Sequence, residues 1–200
     1  MVAFKSQFIG PNLFFDVEIV MATPSVLIAG CGDIGGRLAS RLLPPGWTVH
    51  GLRRNVAKLP QGVHGVNGDL FDARIPEQWP EGRIDYLVYC ATPTARDEAG
   101  YRAAYVQGLR NVLGWIERSG QKPRRVLFVS SSSVYGQQNG EWVDESSPTK
   151  ASGFSGQVMH EAEQVALKSG WPASIVRLTG IYGPGRSDLM NRVRQGYSVA

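Results

Sequence analysis

Short apolar runs alternate with longer amphipathic stretches along this chain, and the pattern predicts strands separated by helices. Six runs predict strands, over residues 26–29, 48–52, 63–66, 85–89, 125–129 and 173–178. Apolar residues at helical spacing predict helices over residues 34–43, 101–119 and 153–169. The apolar stripe of the second helix consists of Tyr101, Tyr105, Leu109, Val112, Leu113 and Ile116. This order predicts an α/β fold, a doubly wound parallel sheet with helices on both faces.

The first predicted strand leads into a glycine turn, Gly30-Cys31-Gly32-Asp33-Ile34-Gly35, and a helical pattern follows. In a phosphate-binding turn the first glycine allows a sharp bend and the second admits the phosphates. The third lets the helix pack near the strand. Free N–H groups at the start of such a helix face the anion. We therefore predict a Rossmann-like dinucleotide site formed by Gly30, Gly32, Asp33, Ile34 and Gly35, with a purely structural turn as the alternative.

The end of the second predicted strand carries two arginines, Arg53 and Arg54, and no acid. Ligands of parallel α/β sheets bind at the carboxyl ends of the strands, so these side chains are candidates for the cofactor site. An acid there accepts hydrogen bonds from the ribose 2′-hydroxyl of NAD, whereas arginine favours the 2′-phosphate of NADP. We predict NADP rather than NAD. The alternative is that one or both arginines face solvent.

Composition excludes several other classes of protein. The 200 residues are 42% apolar, which is enough for one packed domain. The net charge of +4 is modest and the basic residues are scattered, so we expect no nucleic-acid surface. No apolar stretch is long enough for a membrane span. Cys31 and Cys90 lack the spacing of a metal site or a disulfide framework, so we expect no metal and a reducing, cytoplasmic location.

Residues 1–22 differ in character from residues 23–200, which we predict to form the domain. The first segment has neither the uninterrupted apolar core of a secretory signal nor the arginine-rich character of a transit peptide. Met21 lies directly before the start of the predicted domain. A start assigned upstream of the true one and a genuine extension that packs on the domain are both open explanations.

Five segments carry a family resemblance: AGCGDIGGRLASRL, GDLFD, YVQGLRNVL, VLFVSSSSVYG and RLTGIYGPGR. Through them, residues 24–186 resemble the extended, epimerase/dehydratase branch of the short-chain dehydrogenase/reductase superfamily. The resemblance implies that Asp69 and Leu70 lie beside the adenine and that Ala91 lies close to the nicotinamide ribose. It also implies that Ser131 hydrogen-bonds the substrate oxygen. A turn aspartate at position 69 and a plain hydroxyl-rich strand end at position 131 are the structural alternatives.

The resemblance fails at the pair that normally carries proton transfer in this superfamily, a tyrosine and a lysine four residues apart on one helix face. Alignment through Gly156 and Glu163 puts Ser155 at the tyrosine position and Met159 at the lysine position. The chain is therefore identified as an atypical member. Met159 is most simply a core residue beside the cofactor.

Without that pair the candidate catalytic residues are Ser131, which would orient the substrate oxygen, and Ser155, which would relay a proton directly or through water. His160 is an alternative candidate for the base, but it points about 100° away from the lysine position around the helix. Tyr182, after the sixth predicted strand, is the remaining candidate phenol, and its counterpart in the family is mainly structural. We expect an NAD(P)-dependent oxidoreductase or epimerase/dehydratase-like enzyme for a hydroxyl or keto substrate, with nucleotide sugars among the candidates. The alternative is a catalytically silent NAD(P)-binding sensor or regulatory protein.

Two further expectations follow from the resemblance. Members of the family continue past the Tyr-Gly-Pro-Gly segment into a substrate-binding portion, whereas this chain ends at Ala200. We therefore expect a domain truncated at its C-terminus, with that portion largely missing. The helices that pair subunits in this family match residues 101–119 and 154–169, which implies a homodimer.

Overall fold

A six-stranded sheet forms the centre of the computed structural model, which describes residues 23–137 and 139–196. Its strands are β1 (Ser25–Ala29), β2 (Thr48–Arg53), β3 (His64–Asn67), β4 (Tyr86–Tyr89), β5 (Arg125–Ser131) and β6 (Ala173–Leu178). They lie in the order β3-β2-β1-β4-β5-β6, and every pair of neighbours is parallel. Each strand lies within two residues of its predicted bounds, and the predicted parallel sheet is confirmed.

The helices are α1 (Asp33–Leu42), α2 (Glu98–Tyr101), α3 (Gly108–Arg118), α4 (Phe154–Leu167) and α5 (Asp188–Arg194). A π-helical segment, Arg102–Gln107, joins α2 to α3 without a break. The predicted helices over 34–43 and 153–169 correspond to α1 and α4. The predicted helix over 101–119 begins earlier and contains the π segment. The apolar pattern predicts neither that segment nor α5.

Side chains of β1 point alternately to the two faces of the sheet and so belong to two separate cores. Val26 and Ile28 pack with Ala39 of α1 on one face. Leu27 and Ala29 lie on the other face, in the larger core that takes in the buried side chains of α3 and α4. Because helices cover both faces, the sheet is doubly wound, as predicted.

The strand order places the carboxyl ends of β1 and β4 side by side, although β4 follows β3 in the chain. The crossovers reverse direction at this point, and the ligand crevice of such a sheet opens there. The Cys90 N–H donates to the Ala29 carbonyl at 2.9 Å, which holds the two strand ends together. The order of the strands therefore fixes the position of a candidate site.

No helix in the described ranges is long and apolar enough to cross a membrane. The predicted extension, residues 1–22, lies outside the described residues, as do residues 197–200. The domain bounds expected from the sequence therefore stay predictions.

Candidate functional site

Two glycines of the turn after β1 are required by the atoms around them. Gly30 has φ 81°, and a Cβ there would lie 2.6 Å from Ala91 Cα at the end of β4. A Cβ on Gly35 would lie 2.8 Å from Ile28 Cγ2 and 3.0 Å from Cys90 Sγ. A side chain at position 30 would push the turn away from β4, and a side chain at position 35 would push α1 away from β1. The sharp bend and the close helix packing predicted for Gly30 and Gly35 are both present.

Gly32 differs from its neighbours because the space beside it is open. The atom nearest to a Cβ there would be the Gly30 carbonyl oxygen, at 3.8 Å. Gly32 is also the N-cap residue of α1, and no side chain caps that turn. The first N–H groups of α1 therefore remain available to an acceptor. Room for close approach and uncapped donors together fit the pyrophosphate of a dinucleotide.

A cleft of about 260 Å³, which we call the arginine cleft, opens beside this turn. Its lining includes seven predicted cofactor residues: Gly30, Gly32, Arg53, Arg54, Asp69, Leu70 and Ala91. Asn55 and Lys58 line it too, and the sequence interpretation missed them. Asn55 caps the 3₁₀ turn Val56–Lys58 by accepting from the Ala57 N–H at 3.2 Å. An asparagine directly after the arginine pair is the sequence signal that indicates such a turn.

The two arginines at the end of β2, Arg53 and Arg54, play different parts in this cleft. Arg53 Nη1 donates to the Cys31 carbonyl at 3.0 Å and to the Lys58 carbonyl at 3.4 Å. Arg53 thus ties the glycine turn to the 3₁₀ turn. Arg54 is exposed and makes no hydrogen bond or ion pair within the described part of the chain. Together with Lys58, these residues bring three positive charges to the lining of the cleft.

Asp69 is both a turn residue and a cleft residue. Its Oδ1 accepts from the Phe71 N–H at 3.1 Å, which makes an Asx turn after β3. The neighbouring Leu70 carbonyl accepts from Asn111 Nδ2 of α3 at 2.8 Å. These two bonds hold the carboxylate at the wall of the cleft, so the turn alternative and the predicted position are compatible.

Asp33 does not line the arginine cleft. Its Oδ1 accepts from Arg37 Nε at 2.7 Å, and its Oδ2 lies 2.7 Å from Arg186 Nε. These guanidinium groups, Arg37 foremost, hold the pKa of the carboxyl below its ordinary value. Arg37 also donates to the Pro184 carbonyl. Asp33 therefore helps to hold the segment 183–186 against α1, and its role in cofactor binding stays a prediction.

A second space of about 300 Å³, which we call the serine cavity, adjoins the arginine cleft. Ala91 and Thr92 line both spaces. Ile34 of the glycine turn, Ser131 at the end of β5 and Met159 of α4 also line the serine cavity. The two spaces therefore follow the carboxyl edge of the sheet, from the arginines at the end of β2 to the serines at the end of β5.

Ser131 is oriented by the turn that follows it. Its Oγ accepts from the Ser133 N–H at 3.1 Å and so caps the 3₁₀ turn Ser132–Val134. The Ser131 O–H is not donated to any described residue, so it remains available to a ligand. A serine with its lone pair engaged and its proton free suits the donation of a hydrogen bond to a substrate oxygen.

The other candidates for proton transfer lie outside both spaces. Ser155, in the first turn of α4, is half-buried and lines neither of them. His160 lines neither, and its Nδ1 lies 3.8 Å from Glu163 Oε2. Tyr182 is 67% exposed. Ser131 is therefore the one candidate that the structure brings to the cavity, and the relay role of Ser155 stays a prediction.

A buried ion pair lies beside the serine cavity. Glu163 is 1% exposed and accepts from Arg177 Nε at 2.9 Å and Arg177 Nη2 at 2.8 Å. Ser130 Oγ donates to the same carboxylate at 2.6 Å. Arg177 Nη1 donates to the Tyr135 hydroxyl at 3.0 Å. Hydrogen bonding to Glu163 raises the pKa of the Arg177 guanidinium further. This network joins α4 to β5 and β6, and the sequence interpretation missed it.

A glycine turn after β1 and the strand order 3-2-1-4-5-6 define the class, an α/β protein of the dinucleotide-binding Rossmann type. The sequence profile of the NAD dependent epimerase/dehydratase family matches residues 26–196. The chain belongs to that family. The resemblance inferred from the five segments is confirmed.

Individual relatives agree with this assignment. One solved structure, from Methylobacillus flagellatus, is provisionally assigned as an NAD-dependent epimerase/dehydratase. Its sequence is 41% identical to this chain, and the two structures superpose with a TM-score of 0.67. The match covers 87% of this chain and 59% of that chain. Protein YeeZ of Escherichia coli (strain K12) is 29% identical over 171 residues, 80% of this chain and 60% of its own. The Bordetella bronchiseptica enzyme WbmG, solved with NAD and UDP, shares the fold at 22% sequence identity and a TM-score of 0.63. That match covers 88% of this chain and 60% of WbmG. This chain thus spans about 60% of the length of these relatives.

Proposed function

We propose that this chain binds NADP and acts as an oxidoreductase or epimerase/dehydratase-like enzyme on a substrate with a hydroxyl or keto group. The observation that carries the proposal is that the arginine cleft and the serine cavity share Ala91 and Thr92. A cofactor with a phosphate-bearing end and a reactive end fits two adjoining spaces of that kind. The proposed cofactor residues are those predicted from the sequence: Gly30, Gly32, Asp33, Ile34, Gly35, Arg53, Arg54, Asp69, Leu70 and Ala91.

Each part of the cleft has a role in this proposal. The N–H groups at the start of α1 bind the pyrophosphate, which approaches through the open space beside Gly32. Arg54 and Lys58 bind the 2′-phosphate, while Arg53 holds their turn in place. Asp69 accepts a hydrogen bond from the adenine amine. When bound, the nicotinamide supplies or accepts a hydride, which side chains alone do not provide.

At the other end of the site, in the serine cavity, the Ser131 hydroxyl donates a hydrogen bond to the substrate oxygen. Nucleotide sugars are among the proposed substrates. The fold relative WbmG was solved in complex with NAD and UDP, which supports that choice. Ser155, or a water molecule, is proposed to relay protons to this end of the site.

A second function is favoured by one observation. Met159 is 3% exposed and lines the serine cavity at the position where the family pattern has a lysine. Loss of general acid–base catalysis costs about 100- to 10,000-fold in rate. A catalytically silent NADP-binding sensor or regulator would carry such a residue. An assay of NADPH oxidation with a panel of carbonyl compounds and nucleotide sugars separates the enzyme function from the sensor function. Turnover that Ser131→Ala abolishes supports the enzyme, whereas tight NADP binding without turnover by a full-length chain supports the sensor.

Calorimetric titration with NADP and NAD tests the nucleotide site. We expect wild type to bind NADP more tightly than NAD, and Gly32→Val to bind neither because its side chain fills the open space. Arg54→Ala is expected to weaken NADP binding by about tenfold and to leave NAD binding unchanged.

Arg41→Ala is the matched control, since it removes the same charge from the exposed last turn of α1. Both affinities should stay at their wild-type values in that variant. Tighter binding of NAD than of NADP by the wild type would contradict the NADP preference. Absence of binding by the wild type would contradict the whole proposal.

We also propose a homodimer that pairs through α3 and α4. A groove between these helices is lined by apolar side chains, among them Val165 and Trp171, and by charged ones of both signs, so it offers mixed apolar and charged surface for such pairing. The cytoplasmic location proposed for the dimer is supported by Cys31 and Cys90, which are buried and unpaired. Sedimentation over a range of concentrations tests the pairing, and a monomer mass at every concentration would contradict it.

A further inference from the structure

The wall of the serine cavity contains a phenol that the proposed function leaves unused. Tyr105 lines the cavity together with Ser131 and Met159. Its side chain is half-buried, and its hydroxyl makes no hydrogen bond to any residue of the described ranges. A phenol that lines a cavity and has no protein partner is available to a ligand.

The backbone that carries Tyr105 is irregular where it meets the cavity. Tyr105 lies in the π segment Arg102–Gln107, a conformation that recurs at functional sites. The Tyr89 hydroxyl donates to the Ala104 carbonyl, which anchors the segment to β4. A Cβ at Gly108 would lie 2.5 Å from that hydroxyl, so glycine makes room for the anchor. The irregular turn is therefore held by the core.

Aromatic contacts restrain the Tyr105 ring. The ring packs edge-to-face with Tyr101, at 5.4 Å between centroids. Tyr101 packs in the same way with Phe154 of α4, at 5.5 Å. Pairs of this kind restrain the orientation of both rings. The phenol is therefore a positioned group on a chain of contacts that reaches α4.

The other tyrosines of the described residues do not offer a hydroxyl to this cavity. The hydroxyl of Tyr135 is engaged by a backbone carbonyl and an arginine, and that of Tyr89 by the π segment. Tyr182 is 67% exposed. Tyr86 and Tyr101 do not line the cavity.

We infer that Tyr105 is the catalytic phenol of this chain and donates its hydroxyl to the same substrate oxygen as Ser131. The inference rests on the proposed enzymatic function. Burial raises the pKa of Tyr105 to about 12. The phenol therefore stays protonated near neutral pH and acts as a proton donor rather than a base. It replaces the tyrosine that the family pattern places on α4, at Ser155.

The proton balance is simple in the direction from keto to hydroxyl. The O–H bond of Tyr105 breaks, and its proton passes to the substrate oxygen, which becomes the hydroxyl. The electron pair stays on the Tyr105 oxygen, and a proton from the solvent restores the phenol, so the reduction consumes one proton overall. The hydride gained by the carbon is the one that the reduced nicotinamide cofactor supplies.

Tyr105→Phe tests the inference because it removes the hydroxyl and keeps the ring that packs on Tyr101. Tyr101→Phe is the matched control, a hydroxyl removed from the neighbouring ring outside the cavity. NADP affinity, the urea midpoint and NADPH oxidation with the carbonyl and nucleotide-sugar panel are measured for both variants and the wild type. We expect Tyr105→Phe to keep the affinity and the midpoint and to lose about 100-fold or more in kcat. Tyr101→Phe should keep all three.

A Tyr105→Phe variant with kcat within about threefold of wild type overturns the inference, because a lost proton donor costs far more. The proposed function survives that result. A wild type that fails to bind NADP or NADPH is a different outcome, since it removes the proposed function and this inference with it.

A second readout needs no turnover. The protein is labelled with 3-fluorotyrosine and studied by fluorine NMR. The resonance of Tyr105 is identified as the one missing from the spectrum of Tyr105→Phe. We expect that resonance to shift when NADPH saturates the protein, since Tyr105 lines the space beside the arginine cleft. An unmoved Tyr105 resonance in protein that calorimetry shows to be saturated overturns the inference.

Discussion

Arg177→Met would break the buried ion pair that joins α4 to β6. Arg177 makes two charge-assisted hydrogen bonds to Glu163, at 2.8 and 2.9 Å, and Glu163 is 1% exposed. Methionine keeps an apolar stem of similar length but has no charge. The Glu163 carboxylate would remain buried, with the Ser130 hydroxyl as its hydrogen-bond donor. We therefore expect a large loss of stability.

The size of the loss can be worked out in two ways. Removing one partner of a buried pair costs about 3–5 kcal/mol, because the other charge is left uncompensated. A glutamate can escape that penalty by taking up a proton, which costs about 3.7 kcal/mol at pH 7. The expected loss at pH 7 is therefore about 3–4 kcal/mol. Near pH 5 the protonation of a glutamate costs only about 1 kcal/mol, so the loss of stability in Arg177→Met should shrink to about that value.

Urea unfolding at both pH values measures the free energy of unfolding of the wild type, Arg177→Met, Glu163→Gln and the double variant. Glutamine can still accept from Ser130 and carries no charge. The double variant is therefore expected to be more stable than Arg177→Met at pH 7, by about 1 kcal/mol or more. A loss in Arg177→Met that is equal at the two pH values would refute the reasoning, as would a double variant less stable than that single variant.

Two other predictions concern stability. Gly35→Ala puts a Cβ 2.8 Å from Ile28 Cγ2 and should cost about 1–2 kcal/mol, after allowance for alanine's better helix propensity. Gly32→Ala meets open space but puts alanine, a poorer N-cap residue than glycine, at the start of α1, so it should cost about 0.5–1 kcal/mol in urea unfolding, less than Gly35→Ala. Equal losses in the two variants would contradict the packing argument. Burial lowers the pKa of His50, so the unfolded state binds more protons and stability falls as the pH drops from about 7.5 to 5.5. His50→Gln should show a smaller decline than wild type over that window, and an equal decline would exclude His50 as its source.

The sheet could be predicted because its central strands are short, apolar and sharply ended. β1 is buried along its whole length and stops at Gly30, where φ is 81° and a Cβ would clash with Ala91. A glycine is required there on both grounds, so the motif in the sequence reflects the geometry directly. The same holds for Gly35, whose missing side chain sets the distance from α1 to β1.

The site could be predicted only in part, because its polar residues also serve local turns. Asp69 accepts from Phe71, and Ser131 accepts from Ser133. Residue types that favour turns are the same types that bind ligands at strand ends, so sequence alone leaves both roles open. Arg53 is similar, since its contact with the Cys31 carbonyl depends on how two turns pack together.

Tyr105 was missed for a different physical reason. Helical spacing places it on one apolar stripe with Tyr101, which predicts a core residue. The π segment interrupts the regular helical register along that stripe. The segment is anchored by the hydroxyl of Tyr89, which donates to the Ala104 carbonyl fifteen residues further along the chain. A long-range anchor of this kind leaves no periodic signal in the sequence.

The residues of the serine cavity that depart from the family pattern fit one mode of action. In the family pattern a lysine lowers the pKa of the catalytic tyrosine, which prepares that tyrosine to take up a proton as well as to give one. Met159 brings no charge to this cavity, and burial raises the pKa of Tyr105. Both hydroxyls proposed to act here, Ser131 and Tyr105, are therefore neutral donors. Neutral donors stabilise an oxygen that gains negative charge, as a keto oxygen does when hydride reaches its carbon. The missing tyrosine–lysine pair is thus compatible with a site that works by donation, and the turnover assay separates such a site from one that has lost its chemistry.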